Sequence, residues 1–220
     1  MSHALPTADD GWTYYSAPGT CALAVHIALH EAQAPFQLVT LDFGAQQQQS
    51  PDYLAINPKG RVPALKTPQG VLTETPALLL FVAQSFPQAG LAPLDDAFAL
   101  ARLQSFNSYL ASTVHVAHAH KRRGARWADD AAAIEAMKAK VPQTMTACAQ
   151  QLESTLAATA AQGPFVMGAQ YSVADAYLYT LSSWLEGDGV DVQAFPLLLA
   201  HRERIGQRPA TRRALEESGG

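Results

Sequence analysis

The run Asn57-Pro58-Lys59-Gly60-Arg61-Val62-Pro63-Ala64-Leu65 constrains this chain more than any other stretch. Apolar residues on both sides of Pro63 ask for a strand, yet a proline donates nothing to a ladder and is confined to edges, strand starts and bulges. A cis peptide bond after Val62 is one way to keep it there. That bond would turn the Val62 N–H and C=O outward, towards a ligand with a backbone of its own. Leu72-Thr73-Glu74-Thr75 follows, and Pro76 then opens an apolar helical run, Ala77-Leu78-Leu79-Leu80-Phe81-Val82. Proline suits a first helical turn, and helix N-termini attract carboxylates through free N–H groups and the dipole. Together these pieces predict a small-peptide clamp.

The 220 residues allow one large domain or two modest ones. A hydrophobic content of 48% with 15% charged residues describes a chain that can bury a core, and the net charge of −4 does not suit a polyanionic partner. No apolar run reaches the length of a membrane span. Residues 1–11 carry acids and no basic start, so they read as a flexible extension rather than a signal peptide. Cys21 and Cys148 are too few for a disulfide framework and fit a reducing, cytoplasmic setting.

Along the chain, Trp12-Thr13-Tyr14-Tyr15 favours a strand and stops at Ser16-Ala17-Pro18-Gly19-Thr20. Helical spacing of apolar residues then predicts a helix over 21–32, beginning near the thiol. Residues 36–41 form a second strand, and 44–50, with four consecutive glutamines, a polar loop or loose helix. Strands at 62–66 and 71–73 flank the Pro68-Gln69-Gly70 turn, and a helix runs from Pro76 to Phe86. The order is βαβ then ββα. Residues 88–95 read as a linker. Beyond it only helices are expected, over 96–121, 129–159, 173–186, 195–207 and 209–216, with Pro142 kinking or splitting the second. The predicted organisation is therefore an α/β domain over 12–87 followed by an all-α domain over 96–220.

Cys21 stands where the first strand turns into the first helix, and a dipole there favours a thiolate. The alternative is a small buried hydrophobe, the usual fate of a free cysteine. Tyr14, Tyr15 and Ser16 could each supply a hydroxyl, although Tyr14 and Tyr15 also suit a strand core. Glu74 and Thr75 fit either ordinary helix capping or an anion site. Ser172-Val173-Ala174-Asp175 matches a capping box in shorter acidic form, so Asp175 is assigned to structure. His115 and His118 share a helix face, but no acid or cysteine lies nearby in sequence, so no metal is expected. Lys121-Arg122-Arg123 reads as a solvated helix end, and Glu186, Glu203, Glu216 and Glu217 as surface.

In combination, residues 15–24, 57–65, 72–75 and Tyr171-Ser172-Val173-Ala174-Asp175-Ala176-Tyr177-Leu178 resemble the cytosolic glutathione transferases, most closely their bacterial beta-type branch. The resemblance spans nearly the whole chain after Gly11. It implies a thioredoxin-like domain that binds glutathione as co-substrate and a helical domain that forms the pocket for a small hydrophobic electrophile. It implies glutathione binding by Arg61, Val62, Pro63, Glu74 and Thr75, with Val62 pairing with the cysteinyl segment and the acid–hydroxyl pair holding the γ-glutamyl end. Cys21 and His115 match the branch's cysteine and histidine near the glutathione sulfur, and Tyr15 and Ser16 are further hydroxyl candidates for catalysis. A homodimer is implied as well.

Two cations of that branch have no counterpart: Val116 follows the histidine, and the loop after the second strand reads Gly44-Ala45-Gln46-Gln47. His118, Lys121, Arg122, Arg123 and Arg126 are candidate replacements. Ala17 is an extra residue before Cys21. The expected activity is glutathione conjugation. Its rivals are a glutathione-dependent reductase or peroxidase that attacks through Cys21 and a mixed disulfide, and a non-catalytic binding protein of the same fold.

Overall fold

The computed structural model describes residues 11–219. The expected N-terminal extension, apart from Gly11, lies outside the described residues. Two compact units emerge: one takes the chain up to Ala101 together with the stretch from Gln207 onward, and the other is Arg102–Gly206.

The first unit is built on a four-stranded sheet. Strand β1 (Thr13–Ser16) leads to α1 (Ala22–Glu31) and β2 (Gln37–Thr40). A 3₁₀ turn (Gln47–Gln49) and the short helix α2 (Pro51–Ile56) follow. Strands β3 (Ala64–Thr67) and β4 (Gly70–Thr73) form a hairpin that feeds α3 (Thr75–Ser85). The spatial order is β2-β1-β3-β4, with β1 parallel to β2 and antiparallel to β3. In the hairpin Ala64 faces Thr73 and Leu65 faces Leu72.

Strand β3 starts two residues later than the sequence predicts. Val62 and Pro63 stay outside the ladder, and the bond between them is cis. Helix α2 is missed by the sequence reading, because six residues are too few to show periodicity. Ser50 caps it by accepting the Tyr53 N–H, and Pro51 occupies its first turn.

Helix α1 is apolar nearly all round, as a helix covered on several sides must be. It packs on β1, on α3 and on the last helix of the chain, α9 (Pro209–Glu217). That packing is why α9 belongs to the first unit although it follows the helical one in sequence. Arg208, just before α9, adds an ion pair to Glu31 at the end of α1. Tyr14, Ile27, Leu29, Leu65, Leu78 and Leu79 are the fully buried heart of this unit.

Helix α4 (Ala97–Tyr109), of which the residues from Arg102 on belong to the second unit, runs into a π-helical turn (Leu110–Val114) and then α5 (His115–Arg123). The sequence predicts one uninterrupted helix there. The Ser112 hydroxyl bonds back to the Ser108 carbonyl at 2.8 Å within the altered stretch. Helices α6 (Ala131–Thr159), α7 (Val173–Ser182) and α8 (Pro196–Gly206) complete the unit. Helix α6 runs as one element through Pro142, so of the two expected outcomes, a kink or a split, the split does not occur. An internal proline costs about 3 kcal/mol. A buried row from Val141 through Met145, Ala149 and Leu152 to Leu156 offsets it. Hydroxyls of Thr144 and Thr146 also bond to carbonyls around the proline.

Asp175 is completely buried at the start of α7, as a structural acid. It accepts the backbone N–H of Ser172 and of Val166, each at 2.8 Å, and the Ser172 hydroxyl at 3.1 Å. His201 of α8 stands 2.9 Å from Oδ1, the oxygen that also accepts the Val166 N–H, so the capping acid also ties two helices together.

Among the described residues no helix is long and apolar enough to cross a membrane. Both cysteines are buried, and neither forms a disulfide.

Candidate functional site

The loop before the cis bond is held from within. The Arg61 carbonyl accepts two hydrogen bonds of 2.7 Å, from Asn57 Nδ2 and from the Tyr53 hydroxyl. The other amide atom of Asn57 accepts the Lys59 N–H at 3.2 Å, and its backbone carbonyl accepts from Gly60. Gly60 has φ +59, and a Cβ there would meet Gln49 Nε2 at 2.5 Å, so the last of the four glutamines packs directly on this turn. The result is a rigid approach to Val62. Among the described residues its N–H has no backbone partner, since the β1–β3 ladder begins only at Ala64.

Cys21 comes to the same place because β1, antiparallel to β3, ends beside the residue where β3 starts. After β1, Gly19 turns the chain at φ +67, and the Thr20 hydroxyl donates to the Ala17 carbonyl at 2.7 Å. Tyr14, wholly buried, donates its hydroxyl to the Ala22 carbonyl and fixes the first turn of α1; burial first, and then neighbouring Cys21, hold its phenol pKa well above the ordinary value. Cys21 is the N-cap of α1 and 7% exposed. Its thiol lies 3.8 Å from the Val62 carbonyl oxygen, as donor, and accepts from the Thr75 hydroxyl at 3.4 Å.

Thr75 is buried as the first residue of α3, and Glu74 precedes it at φ +74 and ψ 121. A non-glycine residue in such a conformation costs about 1–3 kcal/mol and persists where its surroundings impose it. Here β4 fixes the residue before and α3 the residue after. The Glu74 side chain does not cap α3, so the capping reading fails for it. Its carboxylate pairs instead with Lys59 Nζ, which also donates to the Thr73 hydroxyl at 2.8 Å.

Cys21, Val62, Pro63, Glu74 and Thr75 thus come together within the first unit, with exposed Arg61 immediately before them. Tyr15 and Ser16 do not share one environment. Alternation along β1 puts Tyr15 opposite Tyr14, where its ring lies 5.6 Å from that of Tyr53, while Ser16 is buried on the Tyr14 side. His115 belongs to the second unit, directly after the π turn, with its ring 5.3 Å from that of Trp184. His118 stacks on Trp184 at 4.3 Å and pairs with buried Asp188 at 2.7 Å; Lys121 reaches the same carboxylate at 3.5 Å. Two of the candidate replacement cations are therefore committed within their own unit.

Lys59 and Asn57 fall within the run at 57–65 but receive no role from sequence reasoning. An asparagine before Pro58-Lys59-Gly60 was the available signal, because Asn side chains build such turns. Nothing in sequence ties Lys59 to Glu74, fifteen residues on.

The description "Glutathione S-transferase, N-terminal domain" matches residues 11–84, and the C-terminal domain of the same family matches residues 118–217. A glutathione transferase homologue from Sulfitobacter, solved with bound glutathione, is 47% identical at a TM-score of 0.89, over 96% of this chain and 99% of that one. A beta-class glutathione S-transferase from Sphingomonas chungbukensis is 34% identical at a TM-score of 0.80, over 94% of this chain and 98% of that one. The glutathione S-transferase GstA of Escherichia coli O157:H7 is 28% identical over 205 residues, which is 92% of this chain and 96% of the relative. With a cis-proline loop beside a thiol at a helix start and both domains of one enzyme family matched, this chain belongs to the glutathione S-transferase family.

Proposed function

We propose that the protein conjugates glutathione to small hydrophobic electrophiles. One observation carries the reading: the Cys21 thiol, the Val62 backbone and the N-terminus of α3 converge, each suited to a different part of a cysteinyl tripeptide. The Sulfitobacter homologue with bound glutathione supports it.

In this reading the Val62 N–H and C=O pair with the cysteinyl backbone of glutathione. The γ-glutamyl carboxylate meets the free N–H groups and positive dipole end of α3. Glu74 receives the γ-glutamyl ammonium, and Lys59 with Arg61 supplies positive charge that the loop at 44–47 lacks. The sulfur of glutathione then lies towards Cys21. Its S–H stands 3.8 Å from the Val62 carbonyl oxygen, and in this reading it donates to the thiolate of the ligand instead. The family resemblance assigns the same stabilising role to His115 and leaves Tyr15 and Ser16 as secondary candidates. A free thiol is only a few per cent ionised at neutral pH, so holding the thiolate raises the concentration of nucleophile directly. The thiolate attacks the electrophilic carbon, a C–S bond forms, and the leaving group departs with its bonding pair. Fixing both reactants replaces a bimolecular encounter by an oriented one. The working form is proposed as a cytoplasmic homodimer.

The test is calorimetric titration with glutathione, alongside the rate of its conjugation to chlorodinitrobenzene. Saturable binding and a conjugation rate above the uncatalysed one are expected, with S-methylglutathione competing. A protein that binds neither glutathione nor its S-methyl form sinks the proposal.

A further inference from the structure

A second cluster in the first unit has no part in the proposed conjugation. His26 and His30 lie one turn apart on α1, and Glu217 faces them from the end of α9. His26 Nε2 is 3.0 Å from Glu217 Oε2, His30 Nε2 is 2.9 Å from the same oxygen, and the two ring nitrogens are 3.2 Å apart. Among the described residues these three are the one group of histidine, cysteine and acid side chains close enough to share a metal ion. Glu217, read from sequence as surface, is only one-third exposed, and His26 is fully buried.

The three atoms cannot satisfy one another as hydrogen-bond partners. Arg213 Nε donates to Glu217 Oε1 at 2.9 Å, as to an ionised carboxylate, so Oε2 is an acceptor. If one imidazole carries the Nε2 proton, the other sets a lone pair against Oε2. If both carry it, two N–H groups face each other. A triangle of mutual contacts cannot be divided into matched donors and acceptors.

The surroundings select the lone pair on His26. The Ser218 hydroxyl stands 2.7 Å from the Ala214 carbonyl, which can only accept, so its hydrogen is directed there. Ser218 Oγ must then accept from His26 Nδ1, 3.2 Å away, and Nε2 of that ring is bare. A ring N–H anchored on one side with a free lone pair on the other is the outer arrangement metal-ligating histidines use. Arg213 anchors the carboxylate in the same manner and leaves Oε2 for a cation. The Phe36 ring, 5.7 Å from His26 and 5.3 Å from His30, walls the cluster on an apolar side.

We propose that His26 Nε2, His30 Nε2 and Glu217 Oε2 bind a zinc-class divalent transition metal that ties α9 to α1. Two histidines at i, i+4 on one helix with a carboxylate from outside it are a recurrent zinc donor set. Bond lengths of about 2.1 Å in a tetrahedral site separate neighbouring donors by about 3.4 Å. The observed separations need to open by only a few tenths of an ångström. The partly exposed Glu217 side leaves the fourth position to water. Imidazole with carboxylate suits zinc, cobalt and nickel and not magnesium. Helix α1 begins at Cys21, so the metal would brace the helix that carries the thiol.

The full-length protein, stripped with a chelator and returned to chelator-free buffer, is titrated with zinc chloride by calorimetry while thermal unfolding is followed in parallel. One zinc per chain and a raised Tm are expected, with no response to magnesium. His30→Gln and Glu217→Gln, checked for native circular dichroism, lose about tenfold or more in zinc affinity. His120→Gln on α5 keeps it. A measurement on the unaltered protein accompanies the variants: zinc shifts the imidazole ¹⁵N resonances of His26 and His30 and not those of His115, His118 and His120. Absence of zinc binding, wild-type zinc affinity in the two ligand variants, or shifts confined to the α5 histidines would each overturn the site.

Discussion

The Thr75 hydroxyl donates to the Cys21 sulfur across 3.4 Å, joining the first residue of α3 to the N-cap of α1, fifty-four positions earlier. Two helix starts are thereby fixed against each other at the place where a cysteinyl ligand would set its sulfur. Replacing Thr75 with Val keeps the shape and removes the donor. A lost hydrogen bond of about 1 kcal/mol predicts roughly a fivefold rise in the glutathione Kd, read by calorimetry. An unchanged Kd would mean that the hydroxyl only orients the empty thiol.

Cys21→Ala separates the chemistries open to this site. If Cys21 stabilises the glutathione thiolate, the variant keeps measurable conjugation at a rate lowered about tenfold, and the thiol pKa of bound glutathione rises. If Cys21 is the nucleophile of a reductase, glutathione-dependent disulfide reduction vanishes, and wild-type protein treated with oxidised glutathione carries an adduct on Cys21 by mass spectrometry. Conjugation is the expected survivor.

Asn57→Ala should act on both stability and binding. The change deletes the bond to the Arg61 carbonyl and the acceptor for the Lys59 N–H in a buried turn. About 1–3 kcal/mol of stability is the expected loss, measured by urea unfolding. Glutathione affinity should fall with it because Val62 follows that turn. Asn57→Asp should not rescue, since a carboxylate cannot donate to a carbonyl.

Asp175→Ala should damage the fold rather than the chemistry. The carboxylate serves two backbone N–H groups, the Ser172 hydroxyl and His201, all buried. Removing one partner from such a network costs about 3–5 kcal/mol. The expected readout is poor soluble yield and a lowered Tm, with the fraction that folds retaining glutathione affinity.

The Glu186–Arg202 pair gives a pH-dependent difference. Hydrogen bonds from Arg202 hold the Glu186 carboxyl below its ordinary 4.5. A carboxyl depressed in the folded state stabilises above its unfolded value and loses that contribution as pH falls through the folded value. Wild type should therefore exceed Arg202→Gln in stability near neutral pH, by less than about 1 kcal/mol for so exposed a pair. The two urea midpoints should converge below pH 4.5.

The order of elements was legible in the sequence because each is written locally. Strand propensity marks β1 and β2, Pro76 marks the first turn of α3, and apolar spacing marks the helices of the second unit. Val62-Pro63 pointed to its cis bond because few other arrangements accommodate a proline at that place. Pro142 left the outcome open for the converse reason: the local rule allows a kink or a split, and a buried row along α6 keeps the helix in one piece.

By itself, then, the sequence determined the order of the four strands and of the long helices, and marked the loop that ends in a cis proline. Only the tertiary structure decided the partners. That Thr75 turns its hydroxyl to Cys21, that Lys59 holds Glu74, and that Glu217 closes on His26 and His30 depends on which surfaces meet when the chain is packed. Contacts between residues distant in sequence arise from burying apolar faces against each other, and nothing in the local pattern of either segment encodes its partner.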